Sequence, residues 1–125
     1  MTENEISKEI IDASLKVHKA LGPGLLESAY EGCLEYELKK KKLFVEKQKA
    51  LPVIYDDIKI DLGYRIDLLV ENKVVIELKA VDKIAPIHEA QLLSYLKLSG
   101  LKLGLLMNFN VMLLKDGVKR MVNGL

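Results

Sequence analysis

The sequence from Tyr64 to Ala80 reads YRIDLLVENKVVIELKA. Two mainly apolar runs flank the polar trio Glu71-Asn72-Lys73, an arrangement typical of two antiparallel strands joined by a tight turn. With this trio as the turn, Val70 pairs with Val74. The stretch therefore predicts a β-hairpin whose register is defined from its turn.

The register predicts where the charged side chains of the hairpin lie. Asp67 falls opposite Glu77, and directly opposed residues of antiparallel strands point to the same face, with Cβ atoms ~5 Å apart. Because side chains alternate along a strand, Lys79 shares the face of Glu77. The other face is apolar and must meet the core. It carries Ile66, Leu68, Val70, Val74, Ile76, Leu78 and Ala80.

Two carboxylates that face each other repel, so a fold that keeps them needs compensation. A divalent cation with oxygen ligands would compensate for Asp67 and Glu77. The ammonium of Lys79 would neutralise one charge, orient a water molecule or stabilise developing negative charge. The alternative is an exposed lattice of salt bridges on a solvated sheet face. Spacing alone leaves both open, and a register slip of one residue would remove the argument.

Apolar residues recur at helical spacing in three segments outside this hairpin. They predict helices at Glu3–Leu21 and Leu25–Lys42, with Gly22-Pro23-Gly24 as the bend between them. A third helix is predicted at Pro86–Ser99.

Alternating or apolar runs predict the remaining strands. Phe44–Ile54 and Ile58–Leu62 precede the hairpin, and Leu101–Phe109 follows the third helix as a buried strand. Val111–Leu114 and Val118–Val122 are predicted to form a second hairpin. The order α-α-β-β-β-α-β-β indicates an α+β fold, with a central mixed sheet, an antiparallel meander and flanking helices.

Composition narrows the classes of function. The chain has 125 residues, 50% of them hydrophobic, so we expect one domain over residues 1–125. Lys+Arg 19 against Asp+Glu 18 excludes a generally basic, histone-like binder and confines any polyanion-binding surface to a local patch.

No run approaches the roughly 18 apolar residues of a membrane span. A single cysteine and the lack of a signal-peptide pattern predict a cytoplasmic protein.

Two further motifs lie on the predicted helices. Gly24–Tyr30 reads GLLESAY, and Gln91–Tyr95 reads QLLSY. Together with Asp67 and the Glu77-Leu78-Lys79 strand, they make most of the chain resemble the PD-(D/E)XK nuclease superfamily. The first motif resembles the one that names the GxxExxY family, and the second resembles the QxxxY motif of the RecB-like and lambda-exonuclease-like branches. The resemblance implies a restriction-endonuclease-like core.

The resemblance also implies a metal site with Mg²⁺ or Mn²⁺ as the cofactor. Asp67 and Glu77 would be ligands, with the main-chain carbonyl of Leu78 as a third. Glu27 would complete the acidic cluster from the second helix, through a water molecule on the ion. The sequence departs from the superfamily pattern at Ile66, which stands where many members have proline.

The resemblance assigns the remaining catalytic roles to three residues. Lys79 would position or activate the attacking water. Gln91 and Tyr95 lie four residues apart on one helical face, and would hydrogen-bond near the scissile phosphate or buttress Lys79.

These roles predict a nuclease that hydrolyses phosphodiester bonds of DNA or RNA. The alternative is a non-catalytic module of the nuclease fold that binds nucleic acid or a protein partner, which the near-neutral charge slightly favours. Apolar segments at Leu101–Leu106 and Val111–Leu114 would suit a homodimer interface, although both also suit the internal core. No membrane association is expected.

Other candidate side chains have plainer interpretations. Tyr30, His18 and Cys33 are expected to pack in the interior. His88, near the start of the third helix, is expected to be solvated or to cap the helix rather than act as a base. Arg65 shares the face of Asp67 and either pairs with it or reaches a phosphate.

Overall fold

The computed structural model describes every residue from Met1 to Leu125. Its helices are α1 (Glu3–Leu21), α2 (Glu27–Lys40) and α3 (Pro86–Ser99), with a short 3₁₀ turn at Leu114–Gly117. Its strands are β1 (Val45–Ala50), β2 (Val53–Tyr55), β3 (Ile58–Ile60), β4 (Arg65–Val70), β5 (Val74–Lys79), β6 (Leu103–Asn108) and β7 (Val118–Val122). The predicted α+β class is confirmed.

Local signals explain where α1 begins and ends. The main-chain N–H of Thr2 donates to Glu5 Oε1 at 2.8 Å, and the main-chain N–H of Glu5 donates to Thr2 Oγ1 at 3.2 Å. This reciprocal pair satisfies two N–H groups that the first helical turn would leave free. Gly22 ends the helix with φ 67°, a conformation that glycine adopts without strain.

The central sheet has five strands in the order β1-β4-β5-β6-β7. β5 and β6 are parallel, and α3 is the crossover that connects them. The other neighbouring pairs are antiparallel, so the sheet is mixed as predicted. β5 and β6 occupy central positions and are almost completely buried on both faces.

The hairpin register agrees with the prediction. Val70 pairs with Val74, Leu69 with Val75 and Leu68 with Ile76. Glu71 and Asn72 have φ values of 54° and 55°, so the turn adopts left-handed backbone conformations at both positions.

The stretch before α3 contains five strands, more than the four runs predicted there and the three strands of the predicted order. The predicted Phe44–Ile54 segment is divided between β1 and β2, because Pro52 between them has no N–H to donate to a sheet. β2 and β3 form a separate two-stranded hairpin outside the main sheet. This β2–β3 hairpin turns at Asp56-Asp57, where both residues have positive φ.

The predicted strand at Val111–Leu114 is wrong. β7 pairs with β6 rather than with this segment. It forms a loop that leads into the 3₁₀ turn, where Gly117 lies against the main chain. A Cβ at Gly117 would lie 2.2 Å from the carbonyl oxygen of Asn108, so only glycine fits.

Helices cover both faces of the sheet and form three layers. On one face, α1 and α2 pack on the sheet through the larger apolar cluster, which includes Tyr30, Leu68, Ile76 and Phe109. On the other face, α3 packs on the sheet through a smaller cluster. That cluster contains Leu51, Ile66, Leu69, Val75, Leu92, Tyr95, Leu96 and Leu106. The predicted apolar face of the hairpin packs in the larger cluster. Ile66 is the exception, because it packs in the smaller cluster.

Gly104 of β6 allows α3 to pack closely on the sheet. A Cβ at Gly104 of β6 would come within 2.8 Å of Leu92 Cδ1 on α3. The absent side chain lets α3 approach closely, and the same helix carries Gln91 and Tyr95.

Packing predictions for the helices are confirmed for two residues and wrong for a third. The Tyr30 hydroxyl donates to the Gly22 carbonyl at 2.6 Å, and His18 Nε2 lies 2.8 Å from the Val111 carbonyl oxygen. Cys33 is exposed, because the core-facing side of α2 is the one that carries Tyr30 and Leu34. None of the three helices is long and apolar enough to cross a membrane.

Candidate active site

The candidate site begins where β4 and β5 separate. The last paired residues of this ladder are Leu68 and Ile76. Beyond them, Asp67 Oδ2 accepts a hydrogen bond from the main-chain N–H of Leu78 at 2.8 Å. The Asp67 side chain thus takes a bond that a backbone carbonyl accepts in a regular ladder, and its carboxylate is held beside β5.

Glu77 lies beside Asp67 and is buried, with 5% of the residue exposed. Its Oε1 atom is inaccessible to solvent and has no hydrogen-bond partner. Burial, followed by the negative charge of Asp67, raises the pKa of Glu77 to about 9, while Lys79 acts in the opposite direction. Glu77 therefore favours its protonated form at neutral pH even with Lys79 nearby.

Glu27 approaches the same place from the first turn of α2. Burial raises the pKa of Glu27, and the charge of Asp67 raises it further, whereas Lys79 lowers it. These charge interactions place Glu27 near the residues contributed by β4 and β5. Electrostatic interactions thus link the four residues that the sequence predicted as the charged part of the site: Glu27, Asp67, Glu77 and Lys79.

Gln48 and Glu31 complete this arrangement and were missed by the sequence analysis. Gln48 Nε2 donates to both carboxylate oxygens of Glu31, at 3.0 and 3.1 Å, and lies 3.3 Å from Asp67 Oδ1. Glu31 is only 6% exposed. Gln48 has φ 52°, an unfavourable conformation for a residue with a side chain. The Gln48 amide therefore links a buried acid on α2 to the Asp67 carboxylate.

Two signals in the sequence could have found these residues. Glu31 follows Glu27 by four positions and so lies on the same side of α2. Gln48 lies between Lys47, which pairs with Leu68, and Lys49, which pairs with Ile66. It therefore stands opposite Asp67, but only the pairing of β1 with β4 reveals this.

Tyr95 and Gln91 line a cavity of about 370 Å³ on the side of the sheet that α3 covers. Tyr95 is 7% exposed, and its ring contacts Tyr64 in a tilted arrangement with centroids 6.0 Å apart. Burial, followed by the charge of Glu77, raises the pKa of the Tyr95 hydroxyl. Gln91 makes no hydrogen bond to Lys79, so no buttressing contact is present.

A comparison with protein families shows the superfamily of the chain. The family model described as the PD-(D/E)XK nuclease superfamily matches residues 4–121. The chain belongs to the PD-(D/E)XK nuclease superfamily. Searches of curated proteins and of solved structures give no match.

Superfamily membership supports a nuclease, and PD-(D/E)XK nucleases typically use divalent metal ions. The five-stranded mixed sheet with its three helices is consistent with a restriction-endonuclease-like fold. The same membership suggests a nucleic-acid substrate.

The donor set for a metal ion in this superfamily member is incomplete within the chain. No group of three or more His, Cys, Asp or Glu side chains is arranged to hold an ion. The residues present still fit a cation, because Glu77 Oε1 is a buried acceptor without a partner beside a second carboxylate. The chemistry of two carboxylate groups suits an oxygen-ligated ion such as Mg²⁺ or Mn²⁺.

Neighbouring polar residues have structural roles. Arg65 does not pair with Asp67: its Nη1 atom donates to the Tyr64 carbonyl at 2.9 Å and lies 3.8 Å from Asp61. His88 Nδ1 accepts from the main-chain N–H of Ala85 at 3.0 Å, so His88 caps α3 as expected.

Asn108 was also missed by the sequence analysis. It is 2% exposed, and its side chain bonds both the N–H and the carbonyl of Val81. These bonds hold the loop that follows Lys79.

Proposed function

We propose that this chain is a divalent-metal-dependent nuclease that hydrolyses phosphodiester bonds of DNA or RNA. The observation that carries the proposal is the buried Oε1 atom of Glu77, which lacks a hydrogen-bond partner beside Asp67. Burying a polar atom without a partner costs free energy, and native proteins rarely leave such an atom without a reason. A cation at this point would satisfy Glu77 and relieve its repulsion with Asp67.

Mg²⁺ or Mn²⁺ would be held by Asp67 and Glu77, with the Leu78 carbonyl as a further ligand. Glu27 would complete the acidic cluster through a water molecule. When bound, the cation polarises the phosphate and lowers the pKa of water. Asp67 would be held in place by the N–H of Leu78 and by the Gln48 amide, at 2.8 and 3.3 Å.

Lys79 would position the attacking water and stabilise the charge that develops on the phosphate. Its place on β5, two residues after Glu77 and therefore on the same face of the strand, supports this role. Gln91 and Tyr95 would contact the substrate next to the scissile phosphate, from the cavity under α3.

We also propose a family and a branch for this chain within the superfamily. The Gly24–Tyr30 motif supports the GxxExxY family, and the Gln91–Tyr95 motif supports the RecB-like and lambda-exonuclease-like branches. Residues 1–125 would act as one domain, because both helical layers pack on a single sheet. The exposed thiol of Cys33 suits a reducing, cytoplasmic environment.

Calorimetric titration of Mn²⁺ tests the metal site directly. We expect the wild-type protein to bind Mn²⁺, and Asp67→Asn to abolish binding while the circular dichroism spectrum stays unchanged. Asp12→Asn is the matched control, since Asp12 is an exposed carboxylate on α1 with no ion pair. Binding that survives in Asp67→Asn would contradict the assigned ligands.

Cleavage of labelled single-stranded DNA, duplex DNA and RNA with Mn²⁺ then tests the chemistry. We expect Asp67→Asn and Lys79→Ala to lose activity and Asp12→Asn to keep it. Cleavage retained by both of the first two variants would contradict the mechanism.

A second candidate is a non-catalytic module of the same fold that binds nucleic acid or a protein. Two observations favour it: no three carboxylates are grouped to hold an ion, and the β2–β3 hairpin exposes an apolar surface. That surface carries Ile54, Tyr55, Ile58, Ile60 and Leu62. A wild-type protein that binds no Mn²⁺, with or without oligonucleotide, would support this candidate. Light scattering during size-exclusion chromatography would show whether the partner is a second copy.

A further inference from the structure

The cavity beside Tyr95 has a chemical character different from that of the carboxylate cluster. Its lining residues are Val53, Tyr64, Ile87, Gln91, Ser94, Tyr95 and Leu98, none of which is charged. Its volume of about 370 Å³ lies within the range of small-molecule pockets in proteins. An uncharged, largely apolar lining does not compensate a phosphate, so a phosphate group is not the natural occupant.

Aromatic and aliphatic surfaces in this cavity are left uncovered. Tyr64 is 41% exposed although its ring rests on buried Tyr95, and Ile87 on α3 is 70% exposed. The Tyr64 ring thus contacts Tyr95 in a tilted arrangement and leaves part of its own surface accessible to a ligand. Flat apolar surfaces of this kind stack well with nucleobases, whatever the base.

Polar groups suited to the edge of a base lie in the same cavity. The Gln91 amide offers both a donor and an acceptor, and the Ser94 hydroxyl offers either. Neither of these side chains forms a hydrogen bond within the chain. The cavity also adjoins the candidate site, since Tyr64, which lines the cavity, directly precedes β4, the strand that carries Asp67.

We propose that this cavity receives an unpaired nucleobase next to the scissile phosphate, stacked on Tyr64 beside Ile87, so that the substrate is single-stranded nucleic acid or an unpaired end. This inference rests on the proposed nuclease function and names its substrate class. Paired bases in a duplex are stacked on their neighbours and cannot enter without being extruded, which costs free energy. Arg65, directly after Tyr64 in the chain, has an exposed side chain and would offer a positive charge to the flanking backbone.

Fluorescence anisotropy with two matched ligands tests the proposal. One is a labelled single-stranded deoxyoligonucleotide, and the other has the same length and phosphate charge but carries abasic sugars throughout. Both are measured with Ca²⁺ present as an oxygen-ligated cation. We expect the wild-type protein to bind the base-containing strand roughly 5- to 150-fold more tightly, as stacking of one base predicts. Equal affinities, or no binding of either strand, would overturn the inference.

Substitutions in the cavity separate stacking from charge. Tyr64→Ala should remove the preference for the base-containing strand while its affinity for the abasic strand and the salt dependence stay unchanged. Tyr36→Ala is the matched control, because Tyr36 is also an exposed tyrosine and lies on α2 outside this cavity. Should Tyr64→Ala fail to fold, Ile87→Ala takes its place, since an exposed isoleucine contributes little to stability. A preference that survives in a folded cavity variant would overturn the inference.

The outcomes for the cavity and for the nuclease are distinguishable. A protein that prefers the base-containing strand but neither binds Mn²⁺ nor cleaves would keep the base cavity and lose the nuclease proposal. A protein that binds Mn²⁺ and cleaves but treats both strands alike would lose the cavity and keep the nuclease. A dimer that Tyr64→Ala converts to a monomer, without base preference, would assign the cavity to a second copy and overturn the inference.

Discussion

The two ends of the β4–β5 hairpin are built from the same two strands and have opposite properties. At the closed end, near the turn, Leu68, Leu69 and Val70 pair regularly with Ile76, Val75 and Val74, and all six side chains are buried. At the open end, the ladder stops, and Asp67 and Glu77 place two carboxylates side by side. The closed end stabilises the fold through apolar burial, whereas the open end keeps an unsatisfied polar atom that lowers stability until something binds there.

The largest effect on stability is expected at the closed end. Leu68→Ala should lower the free energy of unfolding by about 2–5 kcal/mol, because Leu68 is fully buried and its loss leaves a cavity. Urea unfolding of the metal-free protein measures this change. Leu113→Ala, at an exposed leucine, is the control and should change stability by less than about 0.5 kcal/mol. A loss below about 1 kcal/mol for Leu68→Ala would mean that the closed end does not anchor the fold.

At the open end we expect Glu77→Gln to stabilise the metal-free protein at pH 8, by about 1–3 kcal/mol. The folded protein holds a proton on Glu77 up to about pH 9, whereas the unfolded chain releases it near the ordinary value of 4.5. Folding therefore takes up a proton between these values, and wild-type stability falls as the pH rises through this range. The amide of the Glu77→Gln variant does not titrate, so its stability lacks this pH dependence.

Urea unfolding of the wild-type protein and Glu77→Gln with a chelator at pH 5 and pH 8 measures this difference. The gap between the two proteins should widen at pH 8, and saturating Mn²⁺ should reverse it, because only the carboxylate would bind the ion. A gap that is independent of pH would show that Glu77 keeps an ordinary pKa in the folded protein.

Gln48 lies on β1, outside the hairpin, and its amide contacts Asp67. A substitution of Gln48 therefore tests how Asp67 is positioned without changing either strand of the hairpin. Gln48→Gly removes the amide and relieves the left-handed backbone at φ 52°. If Gln48 positions Asp67, Mn²⁺ affinity should fall roughly 10- to 100-fold while the free energy of unfolding is unchanged or higher. Loss of stability with unchanged Mn²⁺ affinity would instead assign Gln48 a structural role. Lys49→Gly on the same strand is the control.

The smallest effect is expected in the β2–β3 hairpin, which belongs to neither end. Ile58→Ser changes an exposed side chain and should alter the stability of a monomer by less than about 0.5 kcal/mol. A change in oligomeric state, measured by light scattering, would show that this hairpin is an interface.

Much of this fold could be predicted from the sequence because its signals are local. The hairpin register depends on the turn at Glu71-Asn72-Lys73 and on apolar alternation, both of which lie within one short stretch. The three helices depend on periodicity and on signals such as the Thr2 cap. The β1–β2 boundary was mispredicted although Pro52 is a local signal for it. The loop at residues 111–114 was mispredicted because a short apolar run does not reveal which strand it pairs with.

The candidate site was predictable only in part. The carboxylates and Lys79 lie in a readable motif, and the motif resemblance added Glu27, Gln91 and Tyr95. Gln48 and Asn108 were not predictable, because each acts through a contact with a residue distant in the chain: Asp67 for the first and Val81 for the second. Neither residue belongs to a pattern with a fixed spacing.

The sequence by itself determined the elements, the hairpin register and the grouping of Asp67, Glu77 and Lys79, since these depend on neighbours along the chain. Only the tertiary structure decided that Glu77 is buried without a partner, that Gln48 joins Glu31 to Asp67, and that a cavity opens beside Tyr95. Burial and cavity shape depend on how α2, α3 and β1 pack on the sheet. That packing is a sum of many weak contacts between distant residues, which no local pattern encodes.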